Sequence, residues 1–465
     1  MRDPTLIKNI VPIAVRLGAL TLETRYEDLP PAVISSAKRG ILDYLAVTLA
    51  GSHDDVVDRL LRVLAPMGGV SAIFGHACRT SSADAALING VASHVLDFDD
   101  LSISMKGHPS GQVLSALFAL SDEIGASGRD VLLSYVVGVE VEARLGRAVQ
   151  PEHQAQGWHP TATMGVFGAT AACAKLLGLT AVQTAHALAT AASMAAGLKA
   201  NFGTMVKSLH SGYAARNGVL AAKLGRADFT ANLEAFEHRQ GFLAAYGGLS
   251  AERLERSVAE WGRSFEMLEP GLVLKQYPCC ASIHPALDAT LMLRQGGAFD
   301  ILQVERIEVW LDSKRLEHTN RPNPATSLDA KFSVQYCVAR ALADAAVVVG
   351  HFRDDAHLDP RIADLQRRIH AAPCVPGSWL DTRPYGAVVR ITLRDGRVLN
   401  AQVPLALGRE VGVPLPEAQL MRKFRDCCSE ILPAHAIATL EAQIDGLEAL
   451  PNVSVMTGLV VAAVT

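Results

Sequence analysis

The chain has 465 residues and a mass of 49.5 kDa, with 49% hydrophobic and 19% charged residues. Its 43 Lys and Arg residues against 47 Asp and Glu residues give a formal net charge of −4 at pH 7. This apolar fraction is large enough to form a buried core, so the composition excludes a disordered protein. Because there is no excess of cations, the composition also excludes a nucleic-acid binder that relies on bulk charge.

The sequence lacks signals for a membrane span or for secretion, and its cysteine spacing is not that of a secreted protein. The apolar runs at 136–139 and 458–464 are far shorter than the roughly 20 residues that a membrane span needs. The first ten residues lack a continuous apolar region, so we expect no signal peptide. The eight cysteines form no CxxC motif or spaced framework. We therefore expect reduced thiols and a cytoplasmic location.

Helical periodicity runs through the first 268 residues. The segment 30–52 repeats apolar residues every four positions and meets Gly51 where a helix would end. The segment 81–95 predicts a second helix, and an acidic cluster follows it: Asp97, Asp99 and Asp100. A helix dipole disfavours anions at this end, so we expect either a solvated loop or a functional site here. Later segments rich in Ala and Gly predict helices that pack closely.

The period changes after residue 269. Ile307, Val309 and Leu311 alternate with polar residues, which predicts a strand. Two further alternating runs flank Asp395-Gly396, a dipeptide typical of a hairpin turn. Helical patterns at 285–293 and 333–345 lie between, and the segment 416–450 is helical again. We predict a mainly α protein, with a large helical domain at 1–268, completed by 409–465, and a smaller α+β lid domain at 269–408.

The sequence lacks the local motifs of several common enzyme classes. The chain has no GxGxxG after a strand, no Walker-type loop, no HExxH and no GxSxG. Its fifteen histidines show no metal-ligand spacing on a helix, so we expect no metal.

A histidine precedes a proline and a predicted helix three times, at His108, His159 and His284. Proline is favoured at the first helical position, so each histidine is expected at or beside a helix N-cap. The positive end of the helix dipole attracts carboxylates and lowers the pKa of a neighbouring imidazole. The alternative is that these pairs only begin helices.

Two of the eleven lysines, Lys207 and Lys275, lie in weakly polar segments. A partly buried lysine needs an anionic partner or must lose its charge. A substrate carboxylate and a structural ion pair with Asp or Glu would satisfy this requirement equally.

Five blocks resemble the MmgE/PrpD family: HVLDFDD, GHPSG, WHPTATMGVFGA, GLKANFGTMVKSLHSGYAARNGVLAA and KQYPCCASIHPALDA. The resemblance implies a helical domain, an α+β lid, a homodimer and an interdomain active site. It also implies chemistry on small polycarboxylates, at a carbon next to a carboxylate, without a metal or organic cofactor. The family's functional residues fall on Asp97, His108, His159, Lys207 and Lys275.

The chain departs from the family's decarboxylases at three positions on the expected pocket wall. Leu101 stands in place of a threonine, Cys280 in place of a histidine, and His318 in place of a tyrosine. These departures disfavour decarboxylation, and the resemblance ranks a 2-methylcitrate-dehydratase-like lyase first because dehydration is the family's commonest assignment. An iminodisuccinate-type epimerase and a cis-aconitate-type decarboxylase are the alternatives, followed by a non-catalytic carboxylate-binding relative.

In the mechanism that this resemblance suggests, His108 is the general base or acid, and Asp97 orients it or binds the substrate. The helix N-terminus at His159 helps to hold a substrate carboxylate. His318 is the second proton-transfer group. The expected substrate-binding residues are Lys207, Lys275, His284 and Cys280.

Overall fold

The computed structural model describes residues 11–65, 68–247, 251–296, 299–409 and 414–462. The first ten residues, where we expect no signal peptide, and the end of the apolar run at 458–464 lie outside this description. The chain divides into two compact units. Unit 1 comprises 1–95, 99–272 and 424–465, and unit 2 comprises 96–98 and 273–423.

Unit 1 is helical apart from short strands, β1 Ser71–Ala72, β2 Arg79–Thr80 and β3 Leu101–Ser102, with β4 Leu272–Val273 at its boundary. Single-turn helices occupy Tyr26–Asp28, Lys199–Asn201, Met267–Gly271 and Leu447–Ala449. Its helices are α1 Ile13–Glu23, α2 Pro31–Gly51, α3 Asp55–Leu64, α4 Ser82–Val95, α5 Ser110–Ile124, α6 Gly128–Val149, α7 Glu152–Ala155, α8 Pro160–Thr163, α9 Gly165–Leu176, α10 Ala181–Ala192, α11 Val206–Arg226, α12 Phe242–Tyr246, α13 Ala251–Ala259, α20 Ala434–Asp445 and α21 Ser454–Ala462.

Unit 2 has the strands β5 Val304–Leu311, β6 Ile369–Pro373, β7 Ala387–Leu393 and β8 Val398–Val403. Its helices are α14 His284–Gly296, α15 Ser313–Thr319, α16 Ser327–Ala330, α17 Val334–Asp344 and α18 Pro360–Gln366, with single-turn helices at Ile301–Gln303, Val349–Phe352 and Ala356–Leu358. Helix α19, Glu417–Cys428, begins in unit 2 and ends in unit 1.

The strands of unit 2 form one sheet in the order β6-β5-β7-β8. Strands β5 and β6 are parallel, and the other pairs are antiparallel. Every second residue of β7, including Val389 and Ile391, is fully buried and packs with α14 and α17 in one core. This period of two is the alternation that predicts the strand.

The predicted strand at 307–311, the hairpin at Asp395-Gly396 and the helices at 285–293 and 333–345 are all confirmed. Gly396 turns the hairpin with a φ of +85°, a conformation that glycine adopts without strain. The structure is mainly helical, as predicted. No helix within the described ranges combines the length and apolarity that crossing a membrane would require.

Small residues bring helices α4 and α11 unusually close together. A Cβ added at Gly90 would lie 2.6 Å from the Cα of Gly212, and one at Gly212 would lie 2.2 Å from the carbonyl oxygen of Leu87. The backbones of the two helices are therefore in direct contact. This contact fixes the separation of the polar side chains that the two helices carry.

Replacing Gly212 by Ala is expected to destabilise unit 1 by about 1–3 kcal/mol, because a rigid backbone oxygen occupies the space of the new methyl group. The matched control is Gly458→Ala in α21, where no described atom lies within 4 Å of the added Cβ. There Ala is expected to stabilise the helix by about 0.5–1 kcal/mol. Urea unfolding measures both changes, and a stable Gly212→Ala variant would contradict the close contact.

Candidate active site

All three predicted histidines lie at or beside a helix start. His159 is the N-cap of α8, with Pro160 at the first helical position. His108 directly precedes Pro109, the N-cap of α5, and His284 is the first residue of α14. Each is at least nine-tenths buried, so none of the three is a solvated capping residue.

In unit 1, the carboxylate of Asp99 lies between two imidazole rings. Its Oδ2 accepts a hydrogen bond from Nδ1 of His94 at 2.7 Å and lies 3.0 Å from Nδ1 of His108. The two rings meet edge to face, with centroids 4.5 Å apart. Nδ1 of each ring is directed at the carboxylate, so Nε2 of His108 is the ring nitrogen on the side away from Asp99.

Burial and charge determine the protonation of this cluster. Burial lowers the pKa of His94 to about 3, although the charge of Asp99 opposes the shift. Burial opposes ionisation of Asp99, but the charges of His108 and His94 and their hydrogen bonds hold the pKa of Asp99 well below its usual range. At neutral pH, His94 is therefore neutral and Asp99 is a carboxylate.

His159 extends the cluster away from Asp99. Its ring stacks on that of His94 at 5.8 Å between centroids, and its Nδ1 lies 3.0 Å from Nδ1 of His210 on α11. Burial, followed by the charge of His94 and of Lys207, lowers the pKa of His159 well below its ordinary value. Lys207, 8% exposed in the first turn of α11, therefore brings its positive charge to this group of neutral rings.

A buried acid network supports the start of α5. Oγ of Ser110 donates to Oδ2 of Asp100 at 2.5 Å and also contacts the hydroxyl of Tyr135. Burial and the neighbouring charge of Asp43 raise the pKa of Asp100 to about 8. Gln112 donates to the carbonyl oxygen of His108 at 2.6 Å. These contacts fix the backbone from which the His108 ring projects.

In unit 2, Asp97 and Lys275 form a buried ion pair. Nζ of Lys275 lies 3.2 Å from Oδ2 of Asp97 and donates to its carbonyl oxygen at 2.5 Å. Lys275 is 2% exposed, and Asp97 has a φ of +53°. The sequence allows Lys275 to pair either with a substrate carboxylate or with an acidic side chain of the protein. In the structure Lys275 pairs with Asp97.

Cys280 and His318 form a second polar pair in unit 2. Burial opposes ionisation of Cys280, but a hydrogen bond and charge from His318 lower the pKa of its thiol. The same hydrogen bond raises the pKa of His318, and Nε2 of this ring lies 3.1 Å from Oγ of Ser282.

His284 faces the interior of unit 2. Its Nε2 lies 3.2 Å from the carbonyl oxygen of Cys279. Burial, followed by the charge of Lys275, lowers the pKa of His284 to about 3. It is a neutral ring beside the Asp97–Lys275 pair.

The residues that could hold a metal ion are His94, Asp99 and His108, whose ligand atoms lie within 4.8 Å of one another. Oδ2 of Asp99 lies 2.7 Å from Nδ1 of His94 and 3.0 Å from Nδ1 of His108, whereas Oδ1 of Asp99 and Nε2 of His94 have no hydrogen-bond partner among the described residues. That the protein needs no metal stays a prediction.

The structure thus brings His108, His159 and Lys207 together in unit 1, and Asp97, Lys275 and His284 in unit 2. The carboxylate that it places beside His108 is Asp99, at 3.0 Å from Nδ1, whereas the predicted partner of His108 is Asp97. His94 and Asp99 were both missed. Asp99 belongs to the same acidic cluster, and His94 lies five residues before it, so the block HVLDFDD contains the signal.

Known proteins resemble the chain along most of its length. The MmgE/PrpD N-terminal domain model matches residues 15–253, and the C-terminal domain model matches residues 277–446. Cis-aconitate decarboxylases from Mus musculus and Homo sapiens are each 30% identical over 93% of this chain and 90–91% of their own length. One from Aspergillus terreus is 26% identical over 92% of this chain and 91% of its own length. These relatives are enzymes, and they favour the decarboxylase alternative over the dehydratase that the resemblance ranks first.

His94 and His159 are expected to stay neutral when the pH is lowered from 7 to 5, because burial disfavours their charged forms. Two-bond ¹H–¹⁵N correlation spectra of the ring nitrogens report this directly. A histidine without perturbation titrates near pH 6.5, and such titration at His94 would contradict the assignment. As the pH falls below about 6.5, His94 takes up a proton in the unfolded chain but not in the folded one. The free energy of unfolding is therefore expected to decrease below this pH.

Proposed function

The chain belongs to the MmgE/PrpD family, and we propose that it is a lyase that decarboxylates a small tricarboxylate of the cis-aconitate type. The observation that carries this proposal is the buried Asp99–His108 pair. It provides a proton-transfer group of defined orientation in a chain whose relatives are decarboxylases.

The reaction needs one proton and an electron sink. As the bond from the methylene carbon to its carboxylate breaks, carbon dioxide leaves and its electron pair forms a new carbon–carbon double bond. The old double bond shifts its electrons to the carbon beside the remaining terminal carboxylate, which takes up the proton. Charge develops next to that carboxylate, so an acid near this carbon and cations at the carboxylates lower the barrier.

We assign this proton to Nε2 of His108. The negative charge of Asp99, 3.0 Å from Nδ1, favours proton uptake by the ring and holds its orientation. His94 keeps Asp99 charged by donating a second hydrogen bond without itself becoming charged. The rings of His94 and His159 are neutral, and Lys207 brings a positive charge to this cluster. That charge can attract an anion.

The remaining predicted residues have supporting parts in this proposal. Lys207, with the helix start at His159, binds one substrate carboxylate, and Lys275 binds another with Asp97 as its fixed partner. His318 and Cys280 are the second proton-transfer pair, and His284 is a neutral hydrogen-bonding group for the substrate.

Elimination of water is the second candidate reaction. It is favoured by the Cys280–His318 pair, because these residues stand where the family's decarboxylases carry a histidine and a tyrosine. His318, whose pKa is raised beside the Cys280 thiol, can protonate a departing hydroxyl group. The same residue set would then act on a hydroxy acid such as 2-methylcitrate.

The test is turnover followed by ¹H NMR in deuterated buffer, with cis-aconitate, 2-methylcitrate, citrate and iminodisuccinate offered separately. Decarboxylation of cis-aconitate is expected to place one deuterium on the carbon beside the retained terminal carboxylate. Elimination from 2-methylcitrate would favour the second candidate, and exchange without net reaction would favour an epimerase. Ligand-induced thermal stabilisation without any turnover would show a non-catalytic binder and contradict the proposal.

His108→Asn and Asp99→Asn are each expected to lower kcat about 100-fold or more, because the proton-transfer group is removed or loses its orientation. Asp84→Asn, at a partly exposed aspartate of α4, is the matched control and should leave kcat unchanged. Circular dichroism establishes that the variants are folded. Full activity of either site variant would remove the assignment of the acid.

We also propose a homodimer with one interface on α11. Val206, Leu209 and Tyr213 lie three and four residues apart and are 38%, 37% and 45% exposed, so they form one apolar face of the helix. A second copy is the partner that the family resemblance suggests. The eight cysteines are free thiols, which supports a reducing compartment such as the cytoplasm.

Leu209→Asp is expected to shift the mass in solution from about twice 49.5 kDa to that of the monomer, because a buried interface would then contain an unpaired charge. Light scattering after size exclusion measures the mass. Leu302→Asp, at a 74% exposed leucine of unit 2, is the control and should leave the mass unchanged. A monomeric wild type would contradict the proposed interface.

A further inference from the structure

Arg315, on helix α15 of unit 2, is nine-tenths buried and has no carboxylate partner among the described residues. Among the described residues its side chain makes one hydrogen bond, from Nε to the carbonyl oxygen of Pro384 at 2.5 Å. A guanidinium has five donors and stays charged in proteins. Removing this charge from water without a counterion is costly, so the arrangement calls for an anion.

Arg340 shows how unit 2 accommodates an arginine whose role is structural. It is also buried, but its Nη1 lies 3.1 Å from a carboxylate oxygen of Asp344 and 3.4 Å from one of Asp359. Arg315 has no such carboxylate within ion-pair distance among the described residues. Burial alone therefore does not explain the missing counterion.

The surroundings of Arg315 add positive charge. Its guanidinium lies 4.5 Å from the ring centroid of Tyr385, and that of Arg409 lies 4.8 Å from the same centroid. Burial, and then the charge of Arg409, lowers the pKa of Arg315 to about 10. Two guanidinium groups beside one ring repel each other and add to the positive potential at Arg315.

Within the part of the chain that the structure describes, the acidic groups near Arg315 do not meet this need. Asp312 caps the start of α15 by accepting a hydrogen bond from the backbone N–H of Lys314, and Cys280 carries a thiol rather than a carboxylate. Asp312 and Cys280 act on Arg315 only as more distant charges. Tyr385 is 45% exposed, so a ligand can reach this group of residues from solvent.

Arg315 lies three residues before His318, on the same side of α15. An anion that Arg315 holds would therefore lie close to the ring that we assign to proton transfer. A guanidinium fits the two oxygens of a planar carboxylate better than it fits other small anions, since two parallel hydrogen bonds form.

We propose that Arg315 binds a carboxylate of the substrate through a bidentate hydrogen bond. The identity of the ligand as substrate rests on the proposed function, whereas the carboxylate site itself rests on the geometry of unit 2.

The test uses tricarballylate, a saturated tricarboxylate that cannot be decarboxylated by the allylic route, and isothermal titration calorimetry. Arg315→Met is expected to weaken its binding about tenfold or more, and Arg315→Lys to recover part of the loss. The matched control is Arg390→Met, since Arg390 also lies over an aromatic ring, that of Trp310, at 5.1 Å. Equal binding by wild type and a folded Arg315→Met variant would overturn the proposal.

A second measurement needs no variant. Phenylglyoxal modifies accessible arginines, and mass spectrometry of the wild-type protein gives the rate at each site. Tricarballylate is expected to protect Arg315 but not Arg390. Protection by inorganic phosphate alone, or by neither anion, would overturn the proposal whether or not the protein turns over a substrate. Protection by tricarballylate in a protein without turnover would support the carboxylate site and contradict the proposed function.

Discussion

A single buried carboxylate organises the candidate site of unit 1. Asp99 is 2% exposed, and its charge is tolerated because two imidazoles are directed at one of its oxygens. Each ring is fixed in turn by a helix: His94 lies in the last turn of α4, and His108 precedes α5. The ionisation of Asp99, the tautomer of His108 and the packing of two helices therefore depend on one another.

The two imidazoles on this carboxylate are not equivalent. His94 is fully buried and stays neutral, whereas His108 keeps a little exposure beside a helix start. A neutral donor stabilises the carboxylate without adding a positive charge of its own to the cluster. The acid network behind α5 contributes in a similar way, since the raised pKa of Asp100 keeps a second negative charge away from Asp99 at neutral pH.

Periodicity was sufficient to predict the class of fold. The alternation at Ile307, Val309 and Leu311 identified β5, and the Asp395-Gly396 turn identified the β7–β8 hairpin, because both signals are local in the chain. His108, His159 and His284 were predictable as helix starts for the same reason. The role of Asp99 was not, since choosing among three neighbouring aspartates requires knowledge of where the chain turns after α4. Arg315 was also missed, because the absence of a counterion is a property of the folded surroundings and leaves no mark in the sequence.

The contact between Gly90 and Gly212 has a consequence for how such a protein can diverge. His94 and His210 lie on the two helices that these glycines hold together, and backbone atoms set their separation. Backbone contact does not relax when surrounding side chains change size, so the histidine cluster keeps its spacing while the rest of the core is repacked. A residue with a Cβ at either position would push the two helices apart and would move His94 and His210 with them.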